Sequence, residues 1–149
     1  MARAELKYGW RSGGHASRPV VVTASQTIVA ASGKFVYQTG GAMTLNADGS
    51  TRIFGHLEVE NYTSASGDIR NCIIDLTGIF RIPVNTGTYV VGMIGDTCDI
   101  SISSSVQGAQ LDASVENTLV VVGGDADDNE YVDVMMSSAV WGTGAGVED

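Results

Sequence analysis

Apolar and polar residues alternate with a period of two along much of the chain. In Ile53-Phe54-Gly55-His56-Leu57-Glu58-Val59-Glu60 the odd positions are apolar or small, and most even positions are polar. The alternation is strict in Cys98-Asp99-Ile100-Ser101-Ile102. Val132, Val134 and Met136 share a face, as do Phe80, Ile82 and Val84, with Arg81 opposite. Such patterns predict half-buried strands. Val20-Val21-Val22, Cys72-Ile73-Ile74 and Leu119-Val120-Val121-Val122 are apolar on both faces and predict covered strands. Turn clusters separate them: Gly40-Gly41, Asp48-Gly49, Ser66-Gly67-Asp68, Asn85-Thr86-Gly87, Gly95-Asp96 and Gly123-Gly124-Asp125. No window sustains the apolar spacing of a helix, and no internal repeat has a convincing period. The pattern predicts an all-β fold, a small antiparallel β-barrel or β-sandwich.

The two ends differ from the middle. Residues 1–18 lack strand alternation and read as an extended N-terminal arm. Residues 19–141 form the barrel or sandwich, and residues 142–149 form a glycine-rich flexible tail. Tyr8 and Trp10 are large aromatics on the arm, and they pack either on their own domain or on a neighbouring subunit or partner.

Charge sharpens this division. The formal net charge is −9. The arm carries Arg3, Lys7, Arg11 and Arg18 against Glu5, whereas residues 82–149 hold eleven carboxylates and no Lys or Arg. A body this acidic repels phosphate backbones and anionic lipid, so neither nucleic acid nor a membrane surface is an expected partner. At 149 residues the chain is long enough for one domain with a core that needs no disulfide or metal. No apolar run is long enough to cross a membrane as a helix. The charged N-terminus lacks a signal-peptide h-region, which predicts synthesis in a cytoplasm. Cys72 and Cys98 lie on apolar strand faces and are expected as buried free thiols.

Candidate chemistry is sparse. Asp125-Ala126-Asp127-Asp128-Asn129-Glu130 invites a calcium reading, but Glu130 and Met136 occupy the positions where an EF-hand loop needs Gly and Glu. A solvated hairpin turn is the simpler expectation. Asn61-Tyr62-Thr63 matches a glycosylation acceptor by chance. Gly142-Thr143-Gly144-Ala145-Gly146 has no following helix to cradle phosphate. His15 lies in the arm, and His56 is expected on a polar strand face beside Glu58, in a surface pair. No Ser or Cys has a nucleophile-elbow context. The chain is therefore expected not to be an enzyme and to use no cofactor or metal. Cys72-Ile73-Ile74-Asp75-Leu76-Thr77-Gly78-Ile79-Phe80-Arg81 is faintly similar to a strand of trimeric dUTPases. Cys72 and Ile79 replace its leading glycine and discriminating tyrosine, and no Gly-Arg-Ser-Ser segment is present.

A second similarity runs over Gly67–Ile102. Gly78-Ile79-Phe80-Arg81-Ile82-Pro83-Val84 is followed by Asn85-Thr86-Gly87, then Gly95-Asp96 and the strand Cys98–Ile102, and later by Val121-Val122-Gly123-Gly124-Asp125-Ala126. This series resembles the capsid decoration, or cement, proteins of tailed bacteriophages that are built on a small β-barrel. The resemblance implies a homotrimer on the capsid exterior that binds the major capsid protein, bridges capsomers and stabilises the shell. Arg3, Lys7, Tyr8, Trp10, Arg11 and Arg18 are then the expected partner-binding residues, with the aromatics as anchors and the cations as steering charges. The competing expectation is an adaptor or carbohydrate-binding module of a phage tail or host surface, with Phe54, Tyr62, Tyr89, Tyr131 and Trp141 as sugar-stacking candidates.

Overall fold

A computed structural model describes residues 8–142. The described residues are all-β: β1 (Gly9–Ser12), β2 (Ser17–Val21), β3 (Thr27–Ile28), β4 (Phe35–Thr39), β5 (Ala42–Leu45), β6 (Gly55–Leu57), β7 (Tyr62–Thr63), β8 (Ile69–Ile73), β9 (Ile79–Thr86), β10 (Thr97–Ser103), β11 (Val106–Gln110), β12 (Leu119–Gly124) and β13 (Tyr131–Met136). A single 3₁₀ turn, Val91–Met93, lies between β9 and β10.

The later strands close into a ring in the order β9-β11-β10-β12-β13, and β13 pairs back onto β9. Only the β9–β11 pair is parallel; its partners are Ala109 and Val84. The long β9 makes closure possible. Its residues 80–83 pair with β13, while Val84 and Thr86 pair with β11. Alternation supplies the interior: Phe80, Ile82, Ile100, Leu119, Val121, Val132, Val134 and Met136 are buried in one cluster.

The earlier strands follow the same path. Their order is β2-β8-β6-β4-β5, and a parallel bridge between Val22 and Met43 returns the last strand to the first. There the Thr23 N–H donates to the Met43 carbonyl at 2.9 Å. Val22, Ile28, Val36, Met43, Leu57 and Cys72 fill this second, separate core. The strands of the first ring begin at Ser17, Phe35, Ala42, Gly55 and Ile69, and those of the second at Ile79, Thr97, Val106, Leu119 and Tyr131. The spacing between counterparts is constant to within two residues. In each ring the second and third strands form a hairpin with a two-residue turn. Gly40 and Gly41 have φ of 59° and 86°, and Ser104 and Ser105 have φ of 50° and 65°. The fold therefore repeats although the sequence shows no repeat. A strand path constrains which positions are buried and where turns fall, and many residue types satisfy both.

The two rings share a buried interface. Phe35, Ile53 and Ile73 belong to strands or bridges of the first ring but pack in the core of the second. The buried Gln107 side chain ties the rings together. Its Oε1 accepts from Phe35 N–H at 2.8 Å, and its Nε2 donates to the carbonyls of Phe35 and Asn46 at 2.9 Å each.

Several expectations are corrected here. Residues 9–18, expected as an arm outside the core, are woven into both rings. Strand β1 lies along β9, with Gly9 opposite Arg81 and Trp10 opposite Phe80. Strand β2 runs the length of β8, with Arg18 opposite Cys72. The link between them is pinned by Gly14 N–H donating to the Thr77 carbonyl and by Ala16 N–H donating to the Asp75 carboxylate, each at 3.3 Å. Gly123 and Gly124 extend β12 rather than forming a turn. The Tyr89 ring lies directly on Gly124, where an added Cβ would come within 2.8 Å of it. The turn follows, with the Asp125 carboxylate accepting from the N–H groups of Asp127, Asp128 and Glu130. Cys72 and Cys98 are buried free thiols, and burial pushes the pKa of both up to about 12.

Candidate functional site

Three surface features carry unusual chemistry. The first is a cleft of about 400 Å³ beside the N-terminal strand, lined by Tyr8, Trp10, His15, Lys34, His56, Glu58 and Glu60 among others. Expected on a polar face, His56 is instead fully buried. Strand β6 is covered on both sides, so its polar position faces the second ring. The imidazole stacks on Phe80 at 4.6 Å and meets Phe35 edge-on at 4.8 Å. Its Nε2 accepts from Lys34 N–H at 3.2 Å. Burial, followed by the nearby Lys34 charge, holds His56 well below the ordinary histidine value, so the ring is neutral at pH 7. Lys34 is itself buried, with Nζ donating to the carbonyls of Ser32 at 2.9 Å and Ala30 at 3.3 Å. Burial lowers its pKa and the Glu60 charge partly restores it. Periodicity did not flag Lys34; only its place before β4, at the seam of the rings, buries it. The surface pair expected of His56 is made by His15, whose Nε2 is 3.5 Å from Glu58 Oε2.

The expected anchors meet at this cleft in part. Trp10 is 41% exposed, donates from Nε1 to the Gly14 carbonyl at 3.1 Å, and meets His15 edge-on. Tyr8 lines the same cleft. Arg11 and Arg18 are exposed on β1 and β2. Arg3 and Lys7 lie outside the described residues. Trp10 thus rests on its own chain with one side in water, and the strands beside it are not free to swing.

A second feature lies at the end of the second ring, on the β9–β10 connection. Val90, Val91 and Ile94 are 52%, 66% and 52% exposed. They are held out in water by anchors on either side. Tyr89 is buried, and its N–H donates to Asn129 Oδ1 at 2.8 Å. Met93 packs against the core, and Gly95 N–H donates to the Val121 carbonyl at 2.8 Å. Met93 also lines a cleft of about 440 Å³, with Asp96, Asp112 and Ser114 on its walls. Val115, which follows Ser114 in the chain, is 80% exposed. Its loop is fixed by Asp99, which accepts from the N–H groups of Val115, Glu116 and Asn117 at 2.9–3.0 Å. Although burial works to raise it, hydrogen bonds from Glu116 and these N–H groups hold Asp99 below the usual carboxylate range.

The third feature is aromatic. Among the sugar-stacking candidates only Phe54 and Trp141 meet, stacked at 5.7 Å and 15°, with Trp141 Nε1 donating to the Phe54 carbonyl at 2.6 Å. The others are committed elsewhere. Tyr62 lies under Arg70 and donates to Asp68, Tyr131 lies under Arg81, and Tyr89 is buried. Tyr37, which sequence reasoning passed over, lines the depression that holds Phe54 and Trp141.

Compared with family models, with curated proteins and with solved structures, the chain matches none.

Proposed function

We propose that this chain is a structural binding protein of the capsid-decoration kind, which docks on the outer surface of an icosahedral shell of major capsid protein and cements neighbouring capsomers. The observation that carries this reading is the apolar rim of Val90, Val91 and Ile94, held out in water by the buried Tyr89 and the half-buried Met93, with the exposed Val115 on a second fixed loop. Aliphatic side chains held in water on fixed turns support an interaction surface. Covering each half-exposed aliphatic contributes about 1 kcal/mol, so one copy binds weakly. A shell offers many copies of the complementary surface, and a trimer engaging several at once gains by avidity. The carboxylates around the rim, with no Lys or Arg in residues 82–149, suit a shell surface that is apolar with a basic border. The arm contributes through its exposed face, with Trp10, Arg11 and Arg18 on β1 and β2 and with Arg3 and Lys7 ahead of them.

Sedimentation with purified empty phage heads tests the reading. The wild-type protein should pellet with heads as a saturating coat. Val91→Asp combined with Ile94→Asp should weaken binding at least tenfold while leaving thermal unfolding unchanged, because both side chains are exposed. Unaltered binding of this variant would remove the rim from the account.

The carbohydrate-module reading is favoured by one observation, the Phe54–Trp141 stack.

A further inference from the structure

We propose a binding site for an acidic saccharide in the groove of the first ring formed by Tyr37, Arg52, Phe54 and Trp141. Two depressions, of about 290 Å³ and 310 Å³, share Tyr37 and Arg52 in their walls and so adjoin as the two ends of the proposed groove. One end is aromatic. The Phe54 and Trp141 rings stack nearly parallel and are half-buried, and the Trp141 indole is locked by its bond to the Phe54 carbonyl. A parallel bridge between Ile53 and Trp141 fixes the backbone beneath, with Gly142 N–H donating to the Ile53 carbonyl at 2.8 Å. Both aromatic rings line the depression and together make a preformed platform. It supplies apolar surface for the non-polar face of a pyranose.

The other end is polar. The 47–52 loop brings Ser50 and Thr51 to the wall together with Asp48, whose Oδ1 accepts from the Ile102 N–H at 3.2 Å. Between the two ends stands Arg52, the feature that selects the ligand's charge. Its guanidinium donates to the Gln38 carbonyl at 3.1 Å and lies 5.7 Å from the Tyr37 ring centre. Among the described residues the arginine–carboxylate ion pair is Arg81–Asp133, and Arg52 has no carboxylate within 4.0 Å. In a protein of net charge −9 an unpaired guanidinium beside an aromatic platform is placed to receive a ligand carboxylate, which it can hold through two N–H groups. A uronic-acid ring supplies both the apolar face and the carboxylate. This site is independent of the shell-binding rim, which lies on the second ring.

Titration of the full chain followed by NMR tests the site, with a glucuronate-terminated oligosaccharide and its neutral glucose-terminated counterpart as probes. The acidic sugar should bind saturably, shift the Trp141 indole N–H and bind at least tenfold more tightly than the neutral sugar. Arg52→Gln should abolish that preference while leaving the fold and any neutral-sugar binding intact. Trp141→Phe keeps a stacking ring and should retain partial binding, whereas Tyr37→Ala should weaken both sugars. Absence of saturable binding by either sugar overturns the proposal. So does an undiminished acidic preference in Arg52→Gln. Shifts at this groove produced only by a peptide ending in acidic residues would also overturn it, assigning the groove to protein recognition.

Discussion

At the scale of single residues, burial at the seam between the rings governs behaviour that periodicity misassigns. His56 occupies a polar position of its strand, yet a second ring covers that face, and the imidazole is sealed neutral between Phe35 and Phe80. This has a pH consequence with a definite sign. The folded pKa is depressed below the unfolded value of about 6.5. Above that value neither state takes the proton and stability is flat. Below it the unfolded chain binds a proton that the native ring refuses, so stability falls by about 1.4 kcal/mol per pH unit until the folded pKa is reached. Urea unfolding between pH 7 and pH 5.5 should show this decline. His56→Phe should remove much of it, and should cost about 1–3 kcal/mol at pH 7 because Lys34 N–H loses its acceptor. A slope unchanged in the variant would place the titration elsewhere.

At the scale of elements, strands with alternation or continuous apolar runs were legible and the shortest ones were not. The patterns at Cys98–Ile102 and Tyr131–Met136 correspond to β10 and β13, but only β13 alternates in burial; in β10 Asp99 and Ser101 are buried beside Cys98 and Ile100, while Ile102 is exposed. Strand β1 was illegible. It has four residues, two of them Gly and Ser, and its place is set by hydrogen bonds to β9 rather than by an apolar face. That placement changes what truncation should do. Deleting residues 1–18 removes β1 and the start of β2, and should produce a large loss of stability or an unfolded chain. A stable, cooperative fold after this deletion would contradict the strand assignment. The paired hairpins carry a second prediction. Ser104 and Ser105 occupy the positive-φ turn that Gly40 and Gly41 make in the other ring. The double substitution Ser104→Asn with Ser105→Gly suits that turn better and should stabilise the protein by about 0.5–1 kcal/mol, measured by denaturant midpoint.

At the scale of the whole molecule, the chain is two copies of one strand path stacked through a shared apolar seam and the Gln107 hydrogen bonds. The fold class was open to reading because alternation and turn residues report strands directly. The repeat was not, because the two rings keep topology and burial while sharing few residue types: Val36 and Ile100 are buried in equivalent strands, but the loops between them differ in length and chemistry. The surfaces were less legible still. Val90, Val91, Met93 and Ile94 read simply as apolar residues in sequence, and only the fold shows Met93 turned inward while the other three are held in water. The aromatic groove likewise joins Tyr37, Arg52 and Phe54 to Trp141, which is distant in sequence, through a bridge at Ile53 that no local pattern announces.

The most direct measurement of the shell-binding account is a cryo-electron-microscopy map of empty phage heads incubated with the protein and washed. The account predicts trimeric density at fixed positions on the outer surface, with the Val90–Ile94 turn and Val115 facing the major capsid protein. Washed heads without added density, or density that turns this rim toward solvent, would contradict it.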